Sequence, residues 1–575
     1  MPGAVDAGPD AGPDASPASP AGPYAGPEAR APRSELPPRW VKLIDQTACI
    51  GCHACTTACK SENQVPLGVT RTYVKSVDVG TFPQVRRAFQ VTRCNQCGDA
   101  PCVAACPTGA MYRRPDGIVD FDKAICIGCK ACMAACPYDA IFINPEDHSA
   151  EKCNFCAHRL EVGLEPACVV VCPTGAIAVG DLNDPSSRVA AAVQSGPVAV
   201  RRPEKETRPG LFYKGAHQAT LDPLAARRPE GDLYAWASQG PPLGLLSHQV
   251  GAGHPGPPAP LSPPARRRPS PGYVGRRRGA APGSIAPPTN GPNSSAAALI
   301  SYDVPHAAPW GWPVSLYTWT KGIAAGAFLV PVVAALAGRL AFAGPVVSFA
   351  APSCALALLG VTGAVLVADL EHPGRFWMLL TRPQPRSWLV KGAFILGAYG
   401  LVVALFLVAS IVGSVTFQEV MAGLGLPLSV MTAGYTAYLF AQAKARDLWQ
   451  SPLLPPHLAV QAALAGSAAM LPVALWVGPP GGAGALEVVL AAAAAAHLLL
   501  VYGEVTVAHV SAHAHLAVRE MTRGRFAPAL WPGLALVLVG VFAPLVGVAA
   551  VPCALAGLLL HEHAYVQAGQ SVPLA

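Results

Sequence analysis

From residue 306 onward, long apolar stretches alternate with short polar connections. They fall near 312–337, 346–368, 388–411, 420–442, 457–477, 485–508, 528–549 and 552–569. Each is close to the roughly 20 residues that a membrane-spanning helix needs. The pattern therefore predicts an all-α polytopic membrane bundle of about eight helices, the last two divided by little more than Pro552. The first third of the chain follows another rule. Short alternating runs such as Ile118-Val119-Asp120-Phe121 and Ala140-Ile141-Phe142-Ile143 predict small strands between cysteine-rich loops. Two segments have no apolar period. Residues 1–38, rich in Pro, Ala, Gly and Asp, predict a disordered tail, and 219–300, rich in Pro, Gly, Arg and Ser, a linker. The predicted division is a tail (1–38), a small α+β domain (39–218), a linker (219–300) and a membrane domain (301–575).

Composition agrees with this division. Only 13% of the 575 residues are charged, and the mean hydropathy of +0.35 is unusual for a soluble protein. The net charge of +7 resides mainly in the linker and in short loops, without a basic fold interleaved with aromatics, which argues against nucleic acid as a partner. The linker arginines at 266–268 and 276–278 suit either a solvated spacer or contact with anionic lipid headgroups. Neither an apolar run nor a twin arginine lies near the start, so no cleavable export signal is expected.

Cysteine placement supplies the chemistry. Of eighteen cysteines, sixteen lie between Cys49 and Cys172 in four groups: Cys49, Cys52, Cys55 and Cys59; Cys94, Cys97, Cys102 and Cys106; Cys126, Cys129, Cys132 and Cys136; and Cys153, Cys156, Cys168 and Cys172. Groups one and three read C-x2-C-x2-C-x3-C, the spacing of bacterial ferredoxins, and proline follows the last cysteine in groups two to four, at Pro107, Pro137 and Pro173. Four thiolates hold one cubane, so the pattern predicts four [4Fe–4S] clusters. Structural zinc prefers two separated C-x2-C knuckles, and three cysteines so closely spaced pair poorly as disulfides; both remain the competing readings. Cys106-Pro107-Thr108-Gly109-Ala110 recurs at 172–176, the trace of duplicated ferredoxin units. Cys354 and Cys553 stand in apolar surroundings and are expected to be inert.

The order of the four groups, with Lys60-Ser61-Glu62-Asn63 after the first, Ala157-His158-Arg159 in the fourth and Gly180-Asp181-Leu182 beyond it, resembles the four-cluster iron–sulfur subunit of the molybdopterin oxidoreductase family. Dimethyl sulfoxide, polysulfide and tetrathionate reductases have such subunits. The resemblance implies a ferredoxin-like fold in which groups one and four exchange their fourth cysteines, as do groups two and three. Cys59 then joins Cys153, Cys156 and Cys168, while Cys172 joins Cys49, Cys52 and Cys55. A second resemblance covers the membrane part. Asp369-Leu370-Glu371-His372-Pro373-Gly374-Arg375-Phe376-Trp377, the stretch 317–326 and Ala568-Gly569-Gln570 resemble the NrfD/polysulfide-reductase membrane subunit, which exchanges electrons with quinone.

Eight spans put both ends of the membrane domain, and hence the cysteine domain, on one side. Loops on that side carry Arg375, Arg382, Arg386, Lys444, Arg446, Arg519, Arg523 and Arg525, against Arg339 on the other. The positive-inside rule then expects a multi-pass protein of the bacterial inner membrane with its cysteine domain in the cytoplasm; export of the folded domain with a partner bearing a twin-arginine signal is the periplasmic alternative. Quinone chemistry needs groups that hydrogen-bond carbonyl oxygens and trade protons. His306, Tyr317, Asp369, His372 and Tyr435 are the candidates on the cysteine-domain face, each with a structural alternative as cap, ion pair or interfacial residue. Lys321, Lys391, Glu487, His497, Glu504 and His509 lie in or near the spans. Lys321 and Glu504 are the expected buried charges of a pair, whereas Lys391 and His509 suit the interface.

A Walker motif and a molybdopterin-sized domain are absent; the CxxCH string at 49–53 is part of the first cysteine group, and the GxGxxG string at 251–256 stands in the Pro-rich segment without the preceding strand that a dinucleotide fingerprint needs. The expected function is electron transfer between the quinone pool and a separate catalytic subunit, by the resemblance a molybdopterin oxidoreductase, with terminal chemistry lying outside this chain. A membrane-tethered redox sensor and a ferredoxin-fed quinone reductase remain the alternatives.

Overall fold

The structure is a computed structural model that describes residues 36–81, 83–227, 297–478 and 481–575. The expected tail up to residue 35 and the arginine-rich centre of the expected linker lie outside the described residues.

Two small sheets frame the cysteine domain. One has the order Ile177–Asp181, Trp40–Asp45, Leu211–Lys214 and Val198–Ala199, with Trp40–Asp45 antiparallel to the first and parallel to Leu211–Lys214. The other pairs Thr72–Val79 with both Arg86–Arg93 and Ala298–Tyr302, all antiparallel. Between them, two hairpins, Met111–Arg113 with Val119–Phe121 and Ile141–Ile143 with Ala150–Lys152, repeat one design. These are the strands that the short alternations predict. Each follows a five-residue helix that carries the third cysteine of its group, Pro101–Ala105 and Ala131–Ala135. Duplication is visible in the backbone as well. His53 and Lys130 each follow the second cysteine of their group, and both are left-handed, with φ of 59° and 61°.

Folded structure runs past both expected linker boundaries. Gln218–Leu221 is helical, and strand Ala298–Tyr302, the last before the membrane helices, belongs to the cysteine domain's sheet. Its alternating Ala298 and Ile300 bury against Val77 and Val79, a contact that the local Ala/Ser-rich composition hides.

The membrane helices, numbered from the first, are α1 (Trp312–Leu336), α2 (Val346–Ala368), α3 (Trp388–Val412), α4 (Val415–Ala441), α5 (Leu454–Val477), α6 (Gly482–Thr506), α7 (Ala512–Thr522), α8 (Ala527–Val541) and α9 (Ala550–Ser571). Among the described residues seven helical segments are long and apolar enough to cross a membrane, or eight if α7 and α8, bent by 70°, form one span. The expected boundary near Pro552 is corrected. The chain turns between Val541 and Ala550, and Pro552 sits in the first turn of α9, where its missing N–H leaves no intrahelical bond unmade. At about 1.5 Å per residue α8 rises only ~22 Å, short for a crossing by itself. Amphipathic α7 buries His513, Ala514, Ala517, Val518 and Met521 on one face.

Close helix packing depends on small residues, as expected where lipid supplies no hydrophobic drive between helices. A Cβ on Gly326 of α1 would lie 1.8 Å from Ala462 O of α5, and one on Gly466 would lie 2.0 Å from Gly326 C. Phe328, Tyr399 and Phe406 fill the adjoining core, with Phe328 and Phe406 edge to face.

Candidate functional site

The membrane bundle presents one end to the cysteine domain, and the contacts are made largely by backbone. Arg375, after α2, donates from Nη1 to Lys123 O and Cys126 O, both at 2.9 Å. His372 N–H donates to Ile127 O at 3.2 Å, Ser387 Oγ to Ala105 O at 2.8 Å and Trp310 Nε1 to Cys129 O at 3.3 Å. Lys130 pairs with Glu371 at 2.9 Å. Gly128, at φ +69°, leaves room for Glu371, whose Cβ would lie 2.3 Å from a side chain there. The α2–α3 loop thus cups the loop of the third cysteine group.

The cysteines converge in fours across groups. Cys106, Cys126, Cys129 and Cys132 line one cavity, and Cys94, Cys97, Cys102 and Cys136 line the next. Cys59 has Cys153, Cys156 and Cys168 as its thiol neighbours, and Asn63 Nδ2 lies 3.7 Å from the Sγ of both Cys59 and Cys156. Cys49 and Cys55 both neighbour Cys172. In every set the fourth cysteine comes from the other group. The first cavity lies against the membrane helices, whereas Cys52, in the last set, is exposed.

The surroundings suit a negatively charged, thiolate-bound group. Lys42, Arg93 and Lys152 are buried among the cysteines. Arg93 Nη1 reaches Cys168 Sγ at 2.9 Å, and Lys42 Nζ does so at 3.6 Å. Arg93 Nε and Nη2 find no other acceptor, an expense that thiolates at neighbouring Cys168, Cys153 and Cys55 would offset. Burial works against ionisation of Cys168, but Arg93 and Lys42 outweigh it and bring the thiol down to about 7. Backbone N–H groups also point at sulfur, Met111 N at Cys106 Sγ (3.3 Å) and Ala150 N at Cys126 Sγ (3.5 Å). Each set can therefore hold one [4Fe–4S] cluster, whose chemistry is reversible uptake of a single electron.

The five membrane-side candidates separate into two places. His306 bonds Asp139 through Nδ1 at 2.7 Å and Asp303 through Nε2 at 3.3 Å, within the cysteine-domain seam. Burial opposes its protonation, but the two carboxylates outweigh this and raise it to about 9. His372 is in the same seam, with Nε2 3.4 Å from Ser149 Oγ. Both precede or follow a span by a few residues, which lets them reach the cysteine domain before the membrane interior. Tyr317 and Tyr435 are buried in the bundle, and Asp369 closes α2. Tyr317 senses the charges or dipoles of Tyr435, Asp369 and Glu562.

Lys321 completes this second place. Its Nζ donates to Ala433 O at 2.9 Å and to Thr436 Oγ1, and it lies 4.7 Å from the Tyr435 ring centre. Its electrostatic counterpart is Glu562 of α9, not Glu504, which is associated with the Tyr565 hydroxyl. Sequence reasoning missed Glu562 because α9 reads as one apolar run; the signal was His561-Glu562-His563 within it. Lys391 is exposed, its Nζ stacked over Trp388, and His509 caps the carbonyl of Glu504. Glu487 is half-buried near Gly547 at the far end of the bundle.

A ferredoxin-like unit with cross-paired cysteine sets, seated on membrane-capable helices, defines a membrane-bound iron–sulfur electron-transfer protein. Comparison with known proteins agrees for both halves. Residues 85–182 match the 4Fe-4S dicluster domain family, and 302–558 match the family described as polysulphide reductase, NrfD. A subunit of tetrathionate reductase from Salmonella typhimurium is 42% identical over 193 residues, covering 33% of this chain and 77% of that protein. One of the polypeptides of polysulfide reductase from Wolinella succinogenes is 43% identical over 171 residues (29% and 90%). The thiosulfate reductase electron transfer subunit PhsB of Salmonella typhi is 47% identical over 149 (25% and 78%). This protein belongs to the family of iron–sulfur subunits of these reductases, here fused to an NrfD-type membrane domain.

Proposed function

We propose that the chain carries electrons between quinone in the membrane and a separate catalytic subunit, with four [4Fe–4S] clusters held by the sixteen cysteines. The observation that carries this reading is the buried polar group of Tyr317, Lys321, Tyr435 and Glu562, close below the cysteine cavity that the membrane domain cups. Trp310 touches Cys129, and Tyr317 lies roughly 10 Å further along the same segment at helical rise. Buried in the end of the bundle nearest the cysteine domain, these groups can bond a quinone's carbonyl oxygens and hold the protons exchanged with it.

Tyr317 supplies a hydroxyl donor and Lys321 a cation beside the Tyr435 face. Asp369, at the end of α2, connects this place to the polar loop and is the route by which a proton reaches the cysteine-domain side. His306 and His372 act in the seam, holding the cysteine domain against the bundle, rather than on quinone. The catalytic subunit, on the family resemblance a molybdopterin oxidoreductase, meets the opposite end. There exposed Cys52 and the exposed Ile50, Val170 and Val171 form an apolar rim suited to a protein partner. All of the arginine-bearing loops but the one with Arg339 lie on the cysteine-domain end, which supports a cytoplasmic cysteine domain on the bacterial inner membrane.

The test is reduction of the purified, iron-loaded chain by a quinol in detergent, followed by bleaching of cluster absorption. Tyr317→Phe and Asp369→Asn are expected to slow it at least tenfold with iron content unchanged. Equal rates in both variants would remove the quinone assignment.

A further inference from the structure

Beside the polar group just described, whose Glu562 adjoins His561 in sequence, three histidines from three helices converge inside the bundle: His457 of α5, His497 of α6 and His561 of α9. One ring nitrogen from each lies within 4.8 Å of the others. All three side chains are buried, with exposures of 4%, 0% and 1%. The His457 and His497 rings are 4.9 Å apart between centres, and His497 and His561 are 4.6 Å apart.

The internal bonding of this cluster does not close. His457 Nε2 and His497 Nδ1 share one hydrogen bond of 2.9 Å. That leaves His497 Nε2 and both nitrogens of His561 buried and without a partner, together with Oε1 of neighbouring Gln461. Gln461 Nε2 reaches His457 Nε2 only at 3.5 Å. An imidazole costs helix packing space and desolvation, and three of them pointing at one another repay neither unless something sits between them. No carboxylate belongs to the cluster, so it does not read as an ion-pair network.

We propose that His457, His497 and His561 bind one late first-row transition-metal ion, of the zinc or cobalt type, as three neutral imidazole ligands. Imidazole is a preferred ligand of such ions. Tetrahedral zinc takes nitrogen at ~2.0–2.1 Å, which sets ligand atoms about 3.4 Å apart. The ring nitrogens, now within 4.8 Å of one another, would draw in by up to about 1.4 Å to reach that spacing. Gln461, beside His457 and with its buried Oε1 unpartnered, could accept a hydrogen bond from a water held by the ion. Glu562, next to His561 on α9, places a carboxylate in the same layer of the bundle to balance charge. The ion would tie α5, α6 and α9 together on the half of the bundle that faces the cysteine domain. It is distinct from the cysteine sites in ligand type and in location.

The experiment uses the full iron-loaded chain in detergent, freed of loose metal by gel filtration and then equilibrated with Zn(II) or, separately, Co(II). Elemental analysis is expected to give close to one zinc per protein molecule in addition to the iron. Absorption at the zinc edge should show nitrogen scatterers near ~2.0 Å, and the Co(II) form should show tetrahedral bands without thiolate charge transfer. His497→Gln and His561→Gln are each expected to lose the ion while keeping iron content and elution volume. Less than about a tenth of an equivalent of either metal in the unaltered chain overturns the proposal, as do sulfur scatterers near ~2.3 Å, which place the ion in a cysteine set. Retention of the ion in both variants overturns it as well. If the variants do not fold, the scatterer type in the unaltered chain decides alone.

Discussion

Arg93 Nη1 stands 2.9 Å from Cys168 Sγ, and Lys42 Nζ approaches the same sulfur at 3.6 Å. Two buried cations thus converge on one ligand of the set formed with Cys59, Cys153 and Cys156. A positive charge beside a cluster stabilises its reduced, more negative form, so this set is biased toward electron acceptance. A charge-assisted hydrogen bond is worth ~1.5–3 kcal/mol, and for a single electron ~59 mV corresponds to a factor of ten. If about half of the interaction depends on redox state, Arg93→Gln should lower that cluster's potential by roughly 30–60 mV. Potentiometric titration monitored by electron paramagnetic resonance checks it. The signal of this set should move down furthest, that of the set holding Cys55, which Arg93 also neighbours, should move less, and any others should stay.

His306 makes a prediction in pH. Asp139 and Asp303 hold its imidazole charged, raising it to about 9 from the usual 6.5. A raised folded-state value means that the stabilisation is fully present below about pH 6.5 and is lost as pH climbs through about 9. The shift bounds the effect at a few kcal/mol, as an order of magnitude. Thermal unfolding of the cysteine domain in the whole chain should therefore weaken between pH 6.5 and 9 in the parent protein. In His306→Gln, that slope should be largely gone and the low-pH stability reduced. A parent profile flat over this interval would show that the ion pair contributes little.

Helix contact at Gly326 and Gly466 gives a steric prediction. A methyl on either glycine meets backbone at 2.0 Å or less, so α1 and α5 must separate. Overpacking of this kind costs about 1–3 kcal/mol and more where backbone is the obstacle. Gly466→Ala is expected to lower the melting temperature in detergent by several degrees. Gly423→Ala on α4, where nothing lies within 4 Å, should leave it unchanged or raise it slightly. Equal behaviour of the two would contradict the close approach.

Much of this architecture was legible from residue spacing. Cysteine intervals announced the cluster sets because ligand geometry leaves few alternatives, and long apolar runs announced the helices because the bilayer sets their length. The exchange of Cys59 for Cys172 and of Cys106 for Cys136 was carried by family resemblance, since spacing alone cannot say which distant loops meet. What stayed hidden depends on tertiary neighbours. Strand Ala298–Tyr302 looked like linker because its partner, Thr72–Val79, is more than two hundred residues away. Glu562 and the histidines at 457 and 561 were lost in apolar context, and only the packing of α9 on α1, and of α5, α6 and α9 together, brings them to Lys321 and His497.

Sidedness can be read with single cysteines placed at the two ends of the bundle. Leu545 lies in the turn between α8 and α9, away from the cysteine domain, and is 82% exposed. Leu67, in the cysteine domain, is 89% exposed. The excess of Arg and Lys in the loops near the cysteine domain predicts that this face is cytoplasmic. With a membrane-impermeant maleimide offered to cells whose outer membrane has been opened, Leu545→Cys should label in intact spheroplasts and Leu67→Cys only after lysis. Neither position touches a cysteine set, so cluster content should match the parent in both. The reverse labelling order would place the cysteine domain in the periplasm. The catalytic partner would then have to be sought there, and the charge asymmetry of the loops would reflect contact with the cysteine domain rather than membrane orientation.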